Sequence, residues 1–197
     1  MEQLIIAVGR ESGSGGHEIA KRLSEQYQIP FYDKNILQEI AYERDLNHEE
    51  LSQFDEKNRN KLMYRTVRGM NSSPEHNVAE LQFDYLRQMA NDKKSFVVVG
   101  RCAETVLKYN KNMISVFVTG DEENKLARIM ETYGTTKEES LIYMNSKNKK
   151  RKKYHNTYCT FKWGDSRNYD LSINSSKTGI EGTVKIIADY VDEARKK

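Results

Sequence analysis

The chain has 197 residues, 37% of them apolar and 31% charged, with a net charge of +3; that length suits one domain, here 1–197, and excludes long repeat arrays and large multidomain enzymes. With 12 tyrosines, 6 phenylalanines and 1 tryptophan it lacks the composition of a disordered chain, and no apolar run reaches the roughly 18 residues of a membrane helix. Cys102 and Cys159 make neither a disulfide framework nor a C-x-x-C metal spacing, so no metal ligands are read from the spacing.

In chain order, the first predicted strand is Leu4 to Val8, followed by four glycines within eight positions, Gly9, Gly13, Gly15 and Gly16. Ile19, Ala20, Leu23 and Tyr27 then recur at the 3, 4, 7, 8 spacing of one helix face. The second strand is Ile29 to Tyr32. A polar, mostly helical insertion spans 34–94, broken by the turn-like Asn71-Ser-Ser-Pro74 and carrying the stripe Val78, Leu81, Tyr85, Met89. Strands follow at Phe96 to Gly100 and Ile114 to Val118, then a helix striped by Leu126, Ile129, Met130 and Tyr133. Thr136 with Glu139 forms a capping-box pattern that starts another helix toward the basic run Lys147 to Lys153, in which six of seven residues are cationic. The last strand is Tyr169 to Ile173, before a helix striped by Ile180, Val184, Ile187, Ala188 and Val191. Continuous Val/Ile/Phe runs suit strands buried on both faces, and so a parallel sheet covered by helices. The opening MEQLIIAVGRES has neither a basic start nor a long apolar stretch, so a cytoplasmic protein is expected.

Glycines between a strand and a helix let backbone N–H groups converge on an anion at the positive end of the helix. The alternative is a tight turn with no ligand. The loop departs from both familiar fingerprints. Glu18 breaks G-x-G-x-x-G, and for G-x-x-x-x-G-K-[ST] the chain offers Gly16 in place of the lysine and His17 in place of the hydroxyl. Arg10 and Lys21 are the nearby cations that could replace the lysine.

The segments GRESGSGG, FYDK, GRCA, KNKKRKKYHNTY and YDLSINSS, in this order between Ile5 and about Val191, resemble those of the cytidylate kinase-like proteins, a branch of the P-loop nucleoside monophosphate kinases. The resemblance implies an α/β, three-layer P-loop NTPase fold. Its five-stranded parallel sheet would have the order 2-3-1-4-5, with a helical monophosphate-binding insert (34–94) and a lid (about 135–165). It also implies transfer of the γ-phosphate of ATP, with Mg2+, to a nucleoside monophosphate such as CMP or dCMP. By position, Ser12, Gly13, Ser14, Gly15, Gly16 and His17 would wrap the ATP phosphates, with Arg10 beside them. Asp33 and Lys34 would hold the acceptor's sugar and phosphate. Arg101 would grip the acceptor, Arg151 and Arg128 would face the transferred phosphate, and Asn148 stands where the family's lid has an aspartate. Cys102 likewise replaces the aspartate that follows the family's arginine.

Each residue has a plainer reading. Arg101 could be a surface cation at a strand end, Asp33 a helix cap, Arg128 an exposed helix residue, His17 a surface or capping residue, and Cys102 a small buried one. The basic run suits a lid, a solvated helix face or single-stranded nucleic acid; the phosphate loop favours the lid. The expected partners are therefore ATP and a nucleoside monophosphate, with no membrane, nucleic acid disfavoured and self-association open. Two other classes of function stay in view: a nucleotide-binding regulatory module without turnover, and a nucleic-acid binder acting through Lys147 to Lys153.

Overall fold

The computed structural model describes residues 2–44, 46–53, 55 and 74–196. Its centre is a parallel sheet of β1 (Ile5–Arg10), β2 (Phe31–Tyr32), β3 (Phe96–Val99), β4 (Met113–Thr119) and β5 (Leu171–Asn174). The order is β2-β3-β1-β4-β5, as the resemblance implied. Ile5 lies between Phe96 and Met113, which puts β1 at the middle. The central strands read as unbroken apolar runs because helices cover both faces.

Alternate residues of β1 feed two cores. Ile6 and Val8 pack with Ile19, Ala20 and Leu23 of α1 (Gly16–Tyr27) and with Val184, Ile187 and Val191 of α8 (Ser175–Ala194). Ile5 and Ala7 face the other way, onto α2 (Ile36–Glu43), α4 (Pro74–Asn91) and α5 (Ala103–Val106). Full burial of each such Ile or Leu contributes roughly 1.5–3 kcal/mol, so this double-sided packing is what holds the strand ends in place. The short α3 (His48–Ser52) lies in the insertion.

Beyond β4, α6 (Glu122–Tyr133) packs on α7 (Lys137–Tyr158) through Leu126, Ile129 and Met144. The expected capping box starts α7: Thr136 Oγ1 accepts from Glu139 N–H, and Glu139 Oε2 accepts from Thr136 N–H.

Several boundaries differ from expectation. β1 continues through Arg10, because β4 keeps pairing with it as far as Val118. β2 shrinks to two residues at the sheet edge, where among the described residues it pairs with β3 alone. Tyr133 ends its stripe 57% exposed and bonds Tyr143 instead of entering the core. Of the turn-like Asn71-Ser-Ser-Pro74, the first three residues lie outside the described residues, and Pro74 opens α4. No described helix is long and apolar enough to cross a membrane.

Candidate functional site

β1 delivers the chain into the glycine loop, which ends where Gly15, in a left-handed conformation, starts α1. Gly13 has φ +79°, and a Cβ there would come within 2.5 Å of the Lys125 carbonyl oxygen, so α6 presses directly on the loop. Four side chains from three later helices fasten it. Ser175 Oγ donates to Ser14 O at 2.6 Å, and Arg128 Nη1 donates to Gly13 O at 2.8 Å. Arg151 Nη1 reaches Arg10 O at 3.4 Å, and Asn148 Oδ1 accepts the Ser12 N–H at 2.8 Å. The Gly16 N–H points at Ser14 Oγ, 3.3 Å away. Two loop N–H groups thus already bond side-chain oxygens, as they would the oxygens of a phosphate. These are donors of the kind that hold an anion at a helix start, and a phosphate there would take the place of the Asn148 oxygen at Ser12.

The cations divide between the two sides of the loop. Lys21 is not a substitute for the missing lysine: its ammonium lies 3.9 Å from Glu25 on the outer face of α1, with a side chain 60% exposed. Ile19, Ala20 and Leu23 take the inward face of that helix, and this turns Lys21 outward. Arg10 is turned toward Asp33, Nη2 to Oδ1 3.6 Å, and His17 Nε2 approaches the other Asp33 oxygen at 3.2 Å. Burial alone would raise the Asp33 pKa, but the His17 hydrogen bond and the Arg10 and Arg101 charges hold it below the usual carboxylate range. Lys34 is exposed beside it. Sequence reasoning missed Lys125, which is buried and bonds Glu11 Oε2 of the loop at 2.7 Å. Its signal is its place one turn before Ile129 on the inward face of α6.

Arg101 is 2% exposed, so it is no surface cation. Both its terminal nitrogens bond the Asp55 carboxylate, Nη2 to Oδ2 at 3.0 Å, and Asp55 also accepts from Gln82. Nothing in the pattern of the insertion marks Asp55. Gly100, Arg101 and Cys102 have φ of +75°, +59° and +53° in succession. Left-handed backbone at two non-glycine residues is strained, and strain held by well-packed surroundings is characteristic of functional turns. A Cβ at Gly100 would collide with Arg10 Nη1, so this turn and the Arg10 guanidinium fit against each other.

Arg10, Arg101 and Arg151 line one cavity at the carboxyl ends of β1 and β3, together with Tyr154, Trp163 and Tyr169. Its volume is about 30 Å³, room for little more than a water molecule. The Tyr154 hydroxyl on its wall is buried without a hydrogen-bond partner among the described residues. A larger hollow of about 630 Å³ lies between α4 and α5, near Ala90, Leu107 and Asn112. It adjoins the beginnings of the strands, whereas ligands of such sheets bind at the carboxyl ends. Arg128 stands apart from this cavity, on the α6 side of the loop. The basic run divides too. Lys149, Lys150, Lys152 and Lys153 are exposed, while Lys147, Asn148 and Arg151 are half-buried.

A profile of the cytidylate kinase-like family matches residues 5–177, a span that includes the loop, the Arg101 turn and α7. The chain belongs to that family. Among its relatives, the cytidylate kinase of Methanocaldococcus jannaschii is 25% identical over 98% of this chain and all of that protein. That of Methanococcus aeolicus is 28% identical over 93% of this chain and 95% of its own length. A crystal structure of an uncharacterized protein from Eubacterium ventriosum shares 41% identity and a TM-score of 0.77, covering 96% of this chain and 99% of that one. The shikimate kinase of Bacteroides thetaiotaomicron, at 14% identity and TM-score 0.55 over 96% and 98% of the two chains, shares the fold. The family member described here thus has a three-layer α/β architecture with the parallel sheet order 2-3-1-4-5.

Proposed function

We propose that the protein transfers the γ-phosphoryl group of ATP to a nucleoside monophosphate of the CMP or dCMP kind. The observation that carries this reading is the convergence of Arg10, Arg101 and Arg151 on one cavity beside a glycine loop. Phosphoryl transfer needs alignment and charge stabilisation more than covalent help from the protein, and fixed guanidinium groups in a closed, dry site provide both. The backbone of Ser12 to Gly16 holds the donor phosphates, with Lys125 and Arg128 as the cations nearest the loop. A magnesium ion accompanying ATP supplies further neutralisation of charge between the phosphates. The acceptor's phosphate meets Arg101 and Arg151, and its base stacks among Tyr154, Trp163 and Tyr169. The present cavity is too small for a nucleotide, so the part of α7 that carries Asn148 and Arg151 lifts as a lid for the acceptor to enter, while the end of the helix stays in place.

The names of the archaeal relatives support the cytosine choice. The altered residues Cys102 and Asn148 bear on it as well, since neither offers the carboxylate acceptors of an aspartate. The reading is tested by ADP production from ATP and Mg2+ against CMP, dCMP, UMP, AMP and GMP, with a control lacking acceptor. Acceptor-dependent ADP, greatest with CMP or dCMP, is expected; ATP binding without turnover on any acceptor would instead favour a regulatory nucleotide-binding module. That second reading draws on Asn148, which already occupies a loop N–H.

A further inference from the structure

In the wall of the arginine-lined cavity, to which Cys102, Glu104 and His155 contribute, four side chains with metal-binding donors come together. Cys102 precedes α5 and Glu104 lies in its first turn, while His155 and Cys159 stand one helical turn apart at the end of α7. All four are at most 9% exposed. His155 Nε2 is 2.7 Å from Glu104 Oε1, and the donor atoms of Glu104, His155 and Cys159 lie within 4.8 Å of one another. Cys102 and Cys159 pack together in one buried cluster. Both segments approach from sequence positions about 50 residues apart, which is why no spacing motif betrays them.

Packing alone explains this set poorly. A buried ion pair seldom returns more than its desolvation costs, and two thiols beside it add little. Thiolate, imidazole and carboxylate are, however, the donors of tetrahedral zinc, at about 2.0 to 2.3 Å. Such bonds place ligand atoms roughly 3.3 to 3.8 Å apart, so Glu104, His155 and Cys159 close on an ion with small side-chain movements, and Cys102, packed in the same buried cluster as Cys159, supplies the fourth donor. His155 Nδ1 faces Asn156 Oδ1 at 3.4 Å, the kind of outer contact that orients a ligating imidazole.

We propose that Cys102, Glu104, His155 and Cys159 form a buried four-ligand site for a zinc-class divalent ion. The thiol protons and the proton held between His155 Nε2 and Glu104 Oε1 leave to solvent as the ion binds, and no oxidant is needed. Because four protein donors close the coordination sphere, the site is structural. It ties the end of α7 to the turn that carries Arg101. Magnesium, which prefers oxygen ligands, is not its occupant, so the site is separate from the metal that accompanies ATP.

The test is a cobalt titration of tag-free, chelator-stripped full-length protein kept reduced by a phosphine. One equivalent of Co2+ should give a thiolate-to-cobalt charge-transfer band with tetrahedral visible absorption, and Zn2+ should displace it. Cys159→Ser and His155→Ala should abolish the band, and Cys102→Ser should roughly halve its intensity. The near-isosteric Glu104→Gln, checked for folding by circular dichroism, should weaken Zn2+ binding about tenfold or more. Absence of the band in the wild-type protein, or its survival in Cys159→Ser, would overturn the site. Full intensity in Cys102→Ser would overturn the four-ligand assignment. None of these readouts depends on kinase turnover.

Discussion

Asn148 on α7 accepts the backbone N–H of Ser12 at 2.8 Å, joining the basic helix to the glycine loop across 136 residues of sequence. The bond occupies a donor that a phosphate would use, so nucleotide binding must break it. A net hydrogen bond is worth about 0.5–1.5 kcal/mol. Asn148→Ala should therefore tighten ATP binding roughly two- to tenfold in calorimetry, and Asn148→Asp should weaken it by setting a carboxylate against the phosphates. Weaker binding in the alanine variant would mean that Asn148 contacts the nucleotide instead.

Arg101 and Asp55 form a second such relationship, with side chains 0% and 15% exposed. Removing one partner of a buried pair costs about 3–5 kcal/mol. Asp55→Ala should lower the urea midpoint accordingly. Arg101→Ala and Arg151→Ala should each reduce acceptor-dependent turnover at least about tenfold, with circular dichroism unchanged for Arg151→Ala. An unaltered rate in either variant would take that arginine out of the site.

Lys125 and Lys21 offer a clean contrast. Lys125→Met breaks the 2.7 Å contact with Glu11 beside the loop and should raise the ATP dissociation constant about tenfold, as expected for a lost charge-assisted bond. Lys21→Met, out on the exposed face of α1, should leave it unchanged. Isothermal calorimetry on both variants decides between them.

Asp33 carries the pH dependence. Its folded pKa lies below the ordinary value, so its contribution to stability is present above the unfolded pKa of about 3.9 and fades as pH falls through the folded value. Asp33→Asn should therefore be less stable than wild type at neutral pH. The gap should narrow progressively below about pH 4, as followed by urea unfolding across the acid range.

Gly13→Ala places a Cβ 2.5 Å from the Lys125 carbonyl in a left-handed conformation. The strain, about 1–3 kcal/mol, should appear as a lower melting temperature together with loss of ATP binding, since α6 and the loop can separate only by distorting both.

The layered sheet was legible because its signals are local. Unbroken runs such as Phe96 to Val99, the stripe of α1 and the Thr136–Glu139 box each depend on near neighbours. The glycine loop was legible for the same reason, as glycine density between a strand and a helix is a feature of one short segment. Arg101 could be marked by its place after the third strand, but its partner could not. Asp55 belongs to an insertion with no decisive pattern, and it meets Arg101 only because β3 and the helices around it bring the two together.

The sequence by itself determined the α/β class, the glycine loop after the first strand and the set of arginines, since periodicity and composition act over a few residues. Only the tertiary structure decided which cations serve the loop, turning Lys21 outward and Lys125 inward. It alone set Asn148 against Ser12, and it alone gathered Cys102, Glu104, His155 and Cys159. The physical reason is range. A side chain's partners at the site are fixed by the packing of helices on both faces of the sheet, and that packing joins segments whose separation along the chain carries no record of their meeting.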